Sequence, residues 1–394
     1  MLLKKISSFT VMILSRAIEP FLYNTLIGIS KIREVKIIRI YSSRVGHLCW
    51  NIDNYKKSLD DEVHTSSKIS IFVLDKTTAN GSVLELIRKD LPGLYIKGRI
   101  AVVISRIIVS ARWKKFCVPW EVLHPKESRL ANTPKWVRVP KNEIVDFLKK
   151  HELENKKSVV FHNRDRAYLD SIEGDSNFHD YRDFSFQDYS EAIETLKEKD
   201  IKAIRIGKVI EKSHTAPNLL DLTGNRQNFW GDIVAVEVSQ FFVSGNSGVG
   251  HLSNLLRKPH LFVNQIPFDL HHLSSFPQDS IFMPKKLRDM SNGNILSFKD
   301  SLTLLSNWSI HSPDFFSSRK LEVINNTVEE ISSSVVEMLQ RTSKVWKDHS
   351  FDSKICETLE YMYKDNFAKY IFHELGIKLS SNFVKSNYKW FFTL

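Results

Sequence analysis

The apolar positions of this chain fall into short continuous runs separated by longer amphipathic stretches. "VKIIRIYSS" (Val35–Ser43) and "KISIFVLD" (Lys68–Asp75) read as strands, the second so uniformly apolar that it predicts burial on both faces. Between them, "RVGHLCWNID" predicts a turn at Gly46 and then a helix. "GSVLELIRKDLP" predicts another helix, closed by Pro92. "LYIKGRIAVVISRIIVSARW" fits either one helix or a strand followed by a helix. Ala131–Glu143 looks extended, and "KNEIVDFLKKHEL" opens a helix.

The alternation restarts after residue 155. "KSVVFH" is a strand, "QDYSEAIETLKEKD" a helix and "IKAIRIG" a strand ending at Gly207. "GDIVAVEVSQ" reads as a short helix, though its apolar run also suits a strand. "FFVSGNSGVGHLSNLLRKP" is strand, glycine-rich loop and helix, and "HLFVN" is a strand stopped by Pro267. From about residue 320 the pattern is helical.

Strand and helix in alternation predict parallel sheets joined by crossover helices. At 394 residues the chain exceeds what one core usually fills. The expected architecture is α/β: two Rossmann-like domains facing a cleft, with a helical C-terminal segment. The boundaries read as a helical segment 1–34, a first domain 35–145, a second 146–315 and the helical segment 316–394.

Composition fits a globular protein, with 42% hydrophobic and 26% charged residues. The net charge of +11 is uneven. Residues 1–150 hold 27 Lys+Arg against 13 Asp+Glu, and the remainder 29 against 32. The basic first part suits a nucleic acid, an anionic membrane face or a charged polymer. No helix-turn-helix, zinc-finger or RNP pattern accompanies it, so a nucleic-acid partner is not expected. Cys49, Cys117 and Cys356 form no CxxC pair, which points to a reducing compartment. "MLLKKISSFTVMILSRAIEPFLYNTLIGISKIR" is broken by Arg16, Glu19 and Pro20, so it lacks a span-length apolar run. It suits an amphipathic helix on a membrane face or an ordinary docking helix. A cytoplasmic protein, peripheral to the inner membrane, is the expectation.

In open parallel sheets ligands sit beyond the carboxyl ends of the strands, and the unusual loops of this chain fall there. In "VVFHNRDRAYLD" a buried strand gives way to His162, Arg164 and Arg166. Arg164 offers a planar fork of donors suited to phosphate oxygens, and His162 can donate or orient. The alternative is a surface ion pair of Arg164 with Asp165 or Asp170. Ser244, Gly245, Asn246, Ser247, Gly248 and Gly250 form a loop whose amides and hydroxyls suit an anion. The plain alternative is a tight strand–helix turn, because neither the dinucleotide nor the P-loop spacing is present. Arg205, inside an apolar strand, needs a partner: the same anion, or an acid such as Asp232. In the first domain His47 follows Arg44 and Gly46 after the first strand and can serve as a general base, although a lone histidine is usually structural. The same holds for His214, His251 and His260. No metal-ligand spacing is present and no cofactor is called for.

Taken together, "RVGHL", "VVFHNRDRAYLD", "AIRIGK" and "FFVSGNSGVGHLSNLLRKPHLFVN" resemble, in order and approximate spacing over about residues 35–270, a bacterial family of glycosyltransferases of the two-domain GT-B class. The H-x-R loop is also distantly similar to that of the fucosyltransferase superfamily, where H-x-R-x-x-D holds the donor phosphate; here the last position is Ala167. The resemblance implies a metal-independent enzyme that moves sugar from a nucleotide-sugar donor to a glycan or lipid-linked acceptor in surface polysaccharide biosynthesis. It implies donor phosphate and nucleotide contacts from His162, Arg164, Arg205, Ser244, Gly245, Asn246, Ser247 and Gly248. Arg44 and Gly46 would then lie on the acceptor side, with His47 as candidate base. The competing readings are a basic nucleic-acid-binding protein and another nucleotide-sugar enzyme such as an epimerase.

Overall fold

The computed structural model describes residues 2–61, 68–126, 133–167, 179–224, 230–305, 310, 314–347 and 350–393. The chain forms two compact units, Met1–Ser128 with Trp136–Arg138, and Arg129–Lys135 with Val139–Leu394. Both are α/β with parallel sheets.

The first unit is built on β1 (Val35–Arg39), β2 (Ile69–Val73) and β3 (Leu94–Ile96), parallel and in that order. On the free side of β1, Cys117 bridges to Ile37, and the Ile37 amide donates to the Phe116 carbonyl at 2.7 Å. Helix α1 (Leu2–Ser30) precedes the sheet; α2 (Val45–Asp61), α3 (Gly81–Asp90) and α4 (Gly98–Ile107) connect and follow its strands. The ambiguous stretch after Pro92 is therefore strand plus helix. Gly46 is not at the turn: residues 42–44 make it, and Gly46 is the second residue of α2. The turn is held by hydrogen bonds rather than by glycine, with the Ser43 amide and hydroxyl both donating to Asp75 Oδ2 at 2.9 and 2.7 Å.

The C-terminal half of α1 is a docking helix. Leu22, Tyr23, Leu26 and Ile27 pack against the core of the unit. Glu19 accepts from Trp113 Nε1 at 3.0 Å and pairs with Arg112, whose guanidinium lies over Tyr23. Earlier in the helix Ile13 and Phe21 are exposed, at 51% and 73%. Among the described residues no helix is long and apolar enough to cross a membrane.

The second unit holds a seven-stranded parallel sheet. Its strands in chain order are β4 (Lys157–His162), β5 (Ile201–Arg205), β6 (Leu219–Asp221), β7 (Phe242–Ser244), β8 (His260–Gln265), β9 (Ile281–Pro284) and, after the separate pair β10 (Lys286–Asp289) and β11 (Leu321–Ile324), β12 (Lys378–Leu379). In space they run β12-β9-β8-β7-β4-β5-β6. Read from β4, the chain lays down two strands, β5 and β6, to one side and then crosses to the other, so strand order reverses between β4 and β7. Every residue of β7, β8 and β9 is buried, which accounts for their mainly apolar character without alternation. The ambiguous "GDIVAVEVSQ" stretch is helical, Trp230–Val238.

Residues 316–394 are mainly helical but supply two strands. β11 (Leu321–Ile324) pairs antiparallel with β10 (Lys286–Asp289), and β12 adds the edge strand beside β9. Runs of two and four residues carry no readable period, which is why they pass for helix in the sequence. The helix Val328–Thr342 starts with a full capping box between Thr327 and Glu330. Buried Glu337 anchors the turn after β12, accepting from the amides of Ser381 and Asn382 at 3.1 and 2.9 Å.

Candidate functional site

The strand reversal places two loops side by side. β4 and β7 are hydrogen-bonded neighbours, and their register pairs His162 with Ser244. The H-x-R loop and the glycine-rich loop thus leave adjacent strand ends at the topological switch point, where a crevice opens in sheets of this order. β5 is the other neighbour of β4, and Arg205 pairs there with Phe161.

A third segment, absent from the sequence reading, ties the two loops together. The Phe184 amide donates to the Arg164 carbonyl at 3.2 Å, and Asn163 Nδ2 donates to the Phe184 carbonyl at 3.2 Å. The Phe184 ring packs against Gly245 so closely that a Cβ at 245 would stand 2.6 Å from its Cε1. Glycine at 245 is therefore a packing requirement in addition to any ligand role.

Arg164 is mostly buried. Its Nη1 donates to the His179 carbonyl at 2.5 Å and lies 3.1 Å from Asp183 Oδ1. Its acidic partner is thus Asp183. Asp165 is occupied with the amides of Ala167 and Glu211, and Asp170 lies outside the described residues. Burial raises the Asp183 carboxyl to about 6, against the pull of Arg164. Neither carboxylate oxygen has a hydrogen-bond partner of good geometry. Beside it, Lys285 follows β9 directly and is 1% exposed. Its ammonium donates to the carbonyls of Tyr181 and Asp183 at 2.8 and 3.0 Å, and burial pushes it down to about 7. Asp183 and Lys285 line a cavity of about 370 Å³ with Asp180, Tyr181, Arg288 and Glu322.

His162 donates from Nδ1 to the Ile206 carbonyl at 3.0 Å, because only the ring nitrogen can carry the proton of that bond. Burial pushes its pKa down to about 4. The ring is neutral near pH 7 and presents Nε2 as an acceptor. Arg205 is 1% exposed and sits in a structural network: it donates to the Lys212 carbonyl at 2.8 Å and to Asn163 Oδ1 at 3.2 Å. It pairs with Asp221 at 3.4 Å, and Phe186 lies under its guanidinium. Its acid is Asp221, not Asp232.

Along the glycine-rich loop, Ser244 is fully buried and shares a 2.9 Å hydrogen bond with His260 Nε2; Ser253 holds His260 Nδ1 at 2.8 Å. His260 is thus a core histidine, held neutral by burial. Asn246 Nδ2 donates to the Ile266 carbonyl at 3.2 Å. Ser247 differs from these: its Oγ is buried and has no hydrogen-bond partner. Gly248 is exposed and starts a single 3-10 turn that leads into the six-residue helix His251–Leu256.

In the first unit His47 lies in the first turn of α2, behind the end of β1. Its ring centroid lies 6.0 Å from Tyr41 and 5.7 Å from His124, and Trp120 stacks on His124 at 3.6 Å. Burial, then Arg44, lowers the His47 pKa, so the ring is neutral and able to take a proton.

No protein-family model matches the chain, and no curated protein matches it. Among solved structures the chain is similar to the ADP-heptose LPS heptosyltransferase II of E. coli, at 12% identity over 58% of this chain and 84% of that one, with a TM-score of 0.39. It is also similar to a glycosyl transferase family 9 protein from Veillonella parvula, at 9% identity over 79% of this chain and 98% of that one, with a TM-score of 0.46.

Proposed function

We propose that this chain is a glycosyltransferase of the GT-B class that takes a nucleotide-sugar donor on its second unit. The observation that carries this reading is the pairing of His162 with Ser244 at the strand reversal, which sets an H-x-R loop against a glycine-rich loop. Breaking a sugar–phosphate bond leaves negative charge growing on a diphosphate, and fixed donors aimed at that charge lower the barrier. Arg164, the Ser247 hydroxyl and the amides of Ser247 and Gly248 supply such donors, with Lys285 as a second cation. Arg205 acts at one remove, holding Asn163 and the Asp221 loop in place. His162 orients by accepting at Nε2.

On the first unit, His47 is the base that takes the proton of an acceptor hydroxyl, with Arg44 and Gly46 on the acceptor side. The acceptor is a glycan or a lipid-linked saccharide of bacterial surface polysaccharide assembly. The basic first part of the chain and the exposed Ile13 and Phe21 of α1 support work at the cytoplasmic face of the inner membrane.

A panel of nucleotide sugars tests the donor assignment by thermal shift, since a ligand specific for the native state raises its melting temperature. At least one nucleoside diphosphate sugar should stabilise the wild type and fail to stabilise Arg164→Ala. His47→Ala should keep that stabilisation and lose about a hundredfold or more in transfer rate. Equal stabilisation of wild type and Arg164→Ala would refute the donor site.

A further inference from the structure

Outside this site, three side chains of the C-terminal segment converge with nothing in the proposed reaction to occupy them. Cys356 and Glu360 are four residues apart on the helix Ser350–Tyr363, so they share a face. His373 comes to that face from a single π-turn, Tyr370–Glu374, closed by the Leu375 amide donating to the Tyr370 carbonyl at 3.0 Å. Such one-turn widenings re-aim a side chain and are common at functional sites. Cys356 Sγ lies 3.5 Å from His373 Nε2 and 3.8 Å from Glu360 Oε1, and His373 Nε2 contacts the same carboxylate oxygen. Among the described residues these are the three that could jointly hold a metal ion.

We infer that Cys356, Glu360 and His373 form a binding site for a divalent d10 metal ion, zinc above all. A thiolate, an imidazole nitrogen and a carboxylate oxygen are the three protein donor types that zinc accepts. Zinc–ligand bonds of about 2.3 Å to sulfur and 2.0–2.2 Å to nitrogen or oxygen, arranged tetrahedrally, put sulfur roughly 3.6 Å from each of the other two donors. Both sulfur edges of the triangle already have that length within a few tenths of an ångström. The Glu360–His373 edge is shorter and opens by rotation of the carboxylate. Hard cations that prefer all-oxygen shells are disfavoured by the thiolate. His373 is exposed, so the fourth position faces solvent and takes water or a further donor. The ion would clip the helix to the turn that leads into β12, the edge strand of the sheet.

The test uses the full chain, stripped by dialysis against a chelator and titrated with zinc. The wild type should bind one equivalent that the Cys356→Ser/His373→Ala double variant does not bind. Each single variant should weaken that binding at least tenfold, and zinc should raise the melting temperature of the wild type alone. Cobalt(II) in the wild type should show a thiolate charge-transfer band, a reading that stands even if a variant folds poorly. Zinc uptake equal in wild type and double variant, or a cobalt spectrum without the thiolate band, would overturn the site. Nucleotide-sugar stabilisation is read on the same samples and is expected to be the same in the double variant.

Discussion

His162 and Ser244 are register partners on adjacent parallel strands that the chain reaches 82 positions apart. That pairing turns two weak local patterns into one place.

Ser247 carries a buried hydroxyl with no partner, an arrangement that costs stability unless a ligand completes it. Ser247→Ala should leave the melting temperature unchanged or slightly raised. It should weaken nucleoside diphosphate binding about tenfold to a hundredfold, the value of one hydrogen bond to a charged acceptor. Calorimetric titration of the two proteins reads both effects. Unchanged affinity would remove Ser247 from the site.

Arg164→Ala breaks a pair in which Asp183 already holds its proton up to about pH 6. The carboxyl can therefore neutralise itself, and the stability loss should stay near 1–2 kcal/mol, below the 3–5 kcal/mol typical of a buried charge left unpaired. Adding Asp183→Asn should recover stability and not nucleotide binding. Denaturant melts and binding titrations on the single and double variants separate the two roles.

Lys285 gains its proton as pH falls through about 7, and Asp183 gains one as pH falls through about 6. Each step adds positive charge beside the cavity. Nucleoside diphosphate affinity should rise from about pH 8 to about pH 6, and Lys285→Met should flatten the upper part of that rise. The variant isolates the lysine from the terminal phosphate, which itself ionises near pH 6. Because folding depresses the Lys285 pKa, the stability it contributes is complete only above the unfolded value and is lost as pH falls through about 7. Without ligand, the wild type should therefore lose more stability than Lys285→Met between about pH 8 and about pH 6.

Gly245→Ala drives a methyl group into Phe184 and should cost about 1–3 kcal/mol, as overpacking does. Gly245→Ala with Phe184→Leu should recover part of the loss. If the single variant were as stable as the wild type, Phe184 would not be clamped on the loop as described.

Much of the second unit was legible because β4, β5 and β8 each hold a short cluster of apolar residues set between helical periods. The strand order was not, since it depends on which edges pair after collapse, and with it went the knowledge that the His162 and Ser244 loops meet. Asp183 carries no distinguishing local pattern; its raised pKa arises from burial, against the pull of Arg164 and Lys285. Lys285 did leave a trace: a buried run, Ile281–Pro284, followed at once by a lysine, the same break that makes His162–Arg166 conspicuous. Arg205 left two readings open, since a guanidinium inside a strand is equally conspicuous whether it serves a ligand or a structural acid; it reaches Asp221 and the Lys212 carbonyl.

β12 closes the flank of β9 with residues delivered almost a hundred positions later. During synthesis, a nascent polypeptide released in stages would carry β9 with unsatisfied amides on one flank until Leu379 cleared the ribosome. Chaperone occupancy on partial translation products should therefore persist through the Val328–Tyr363 helices and drop only once that late strand arrives.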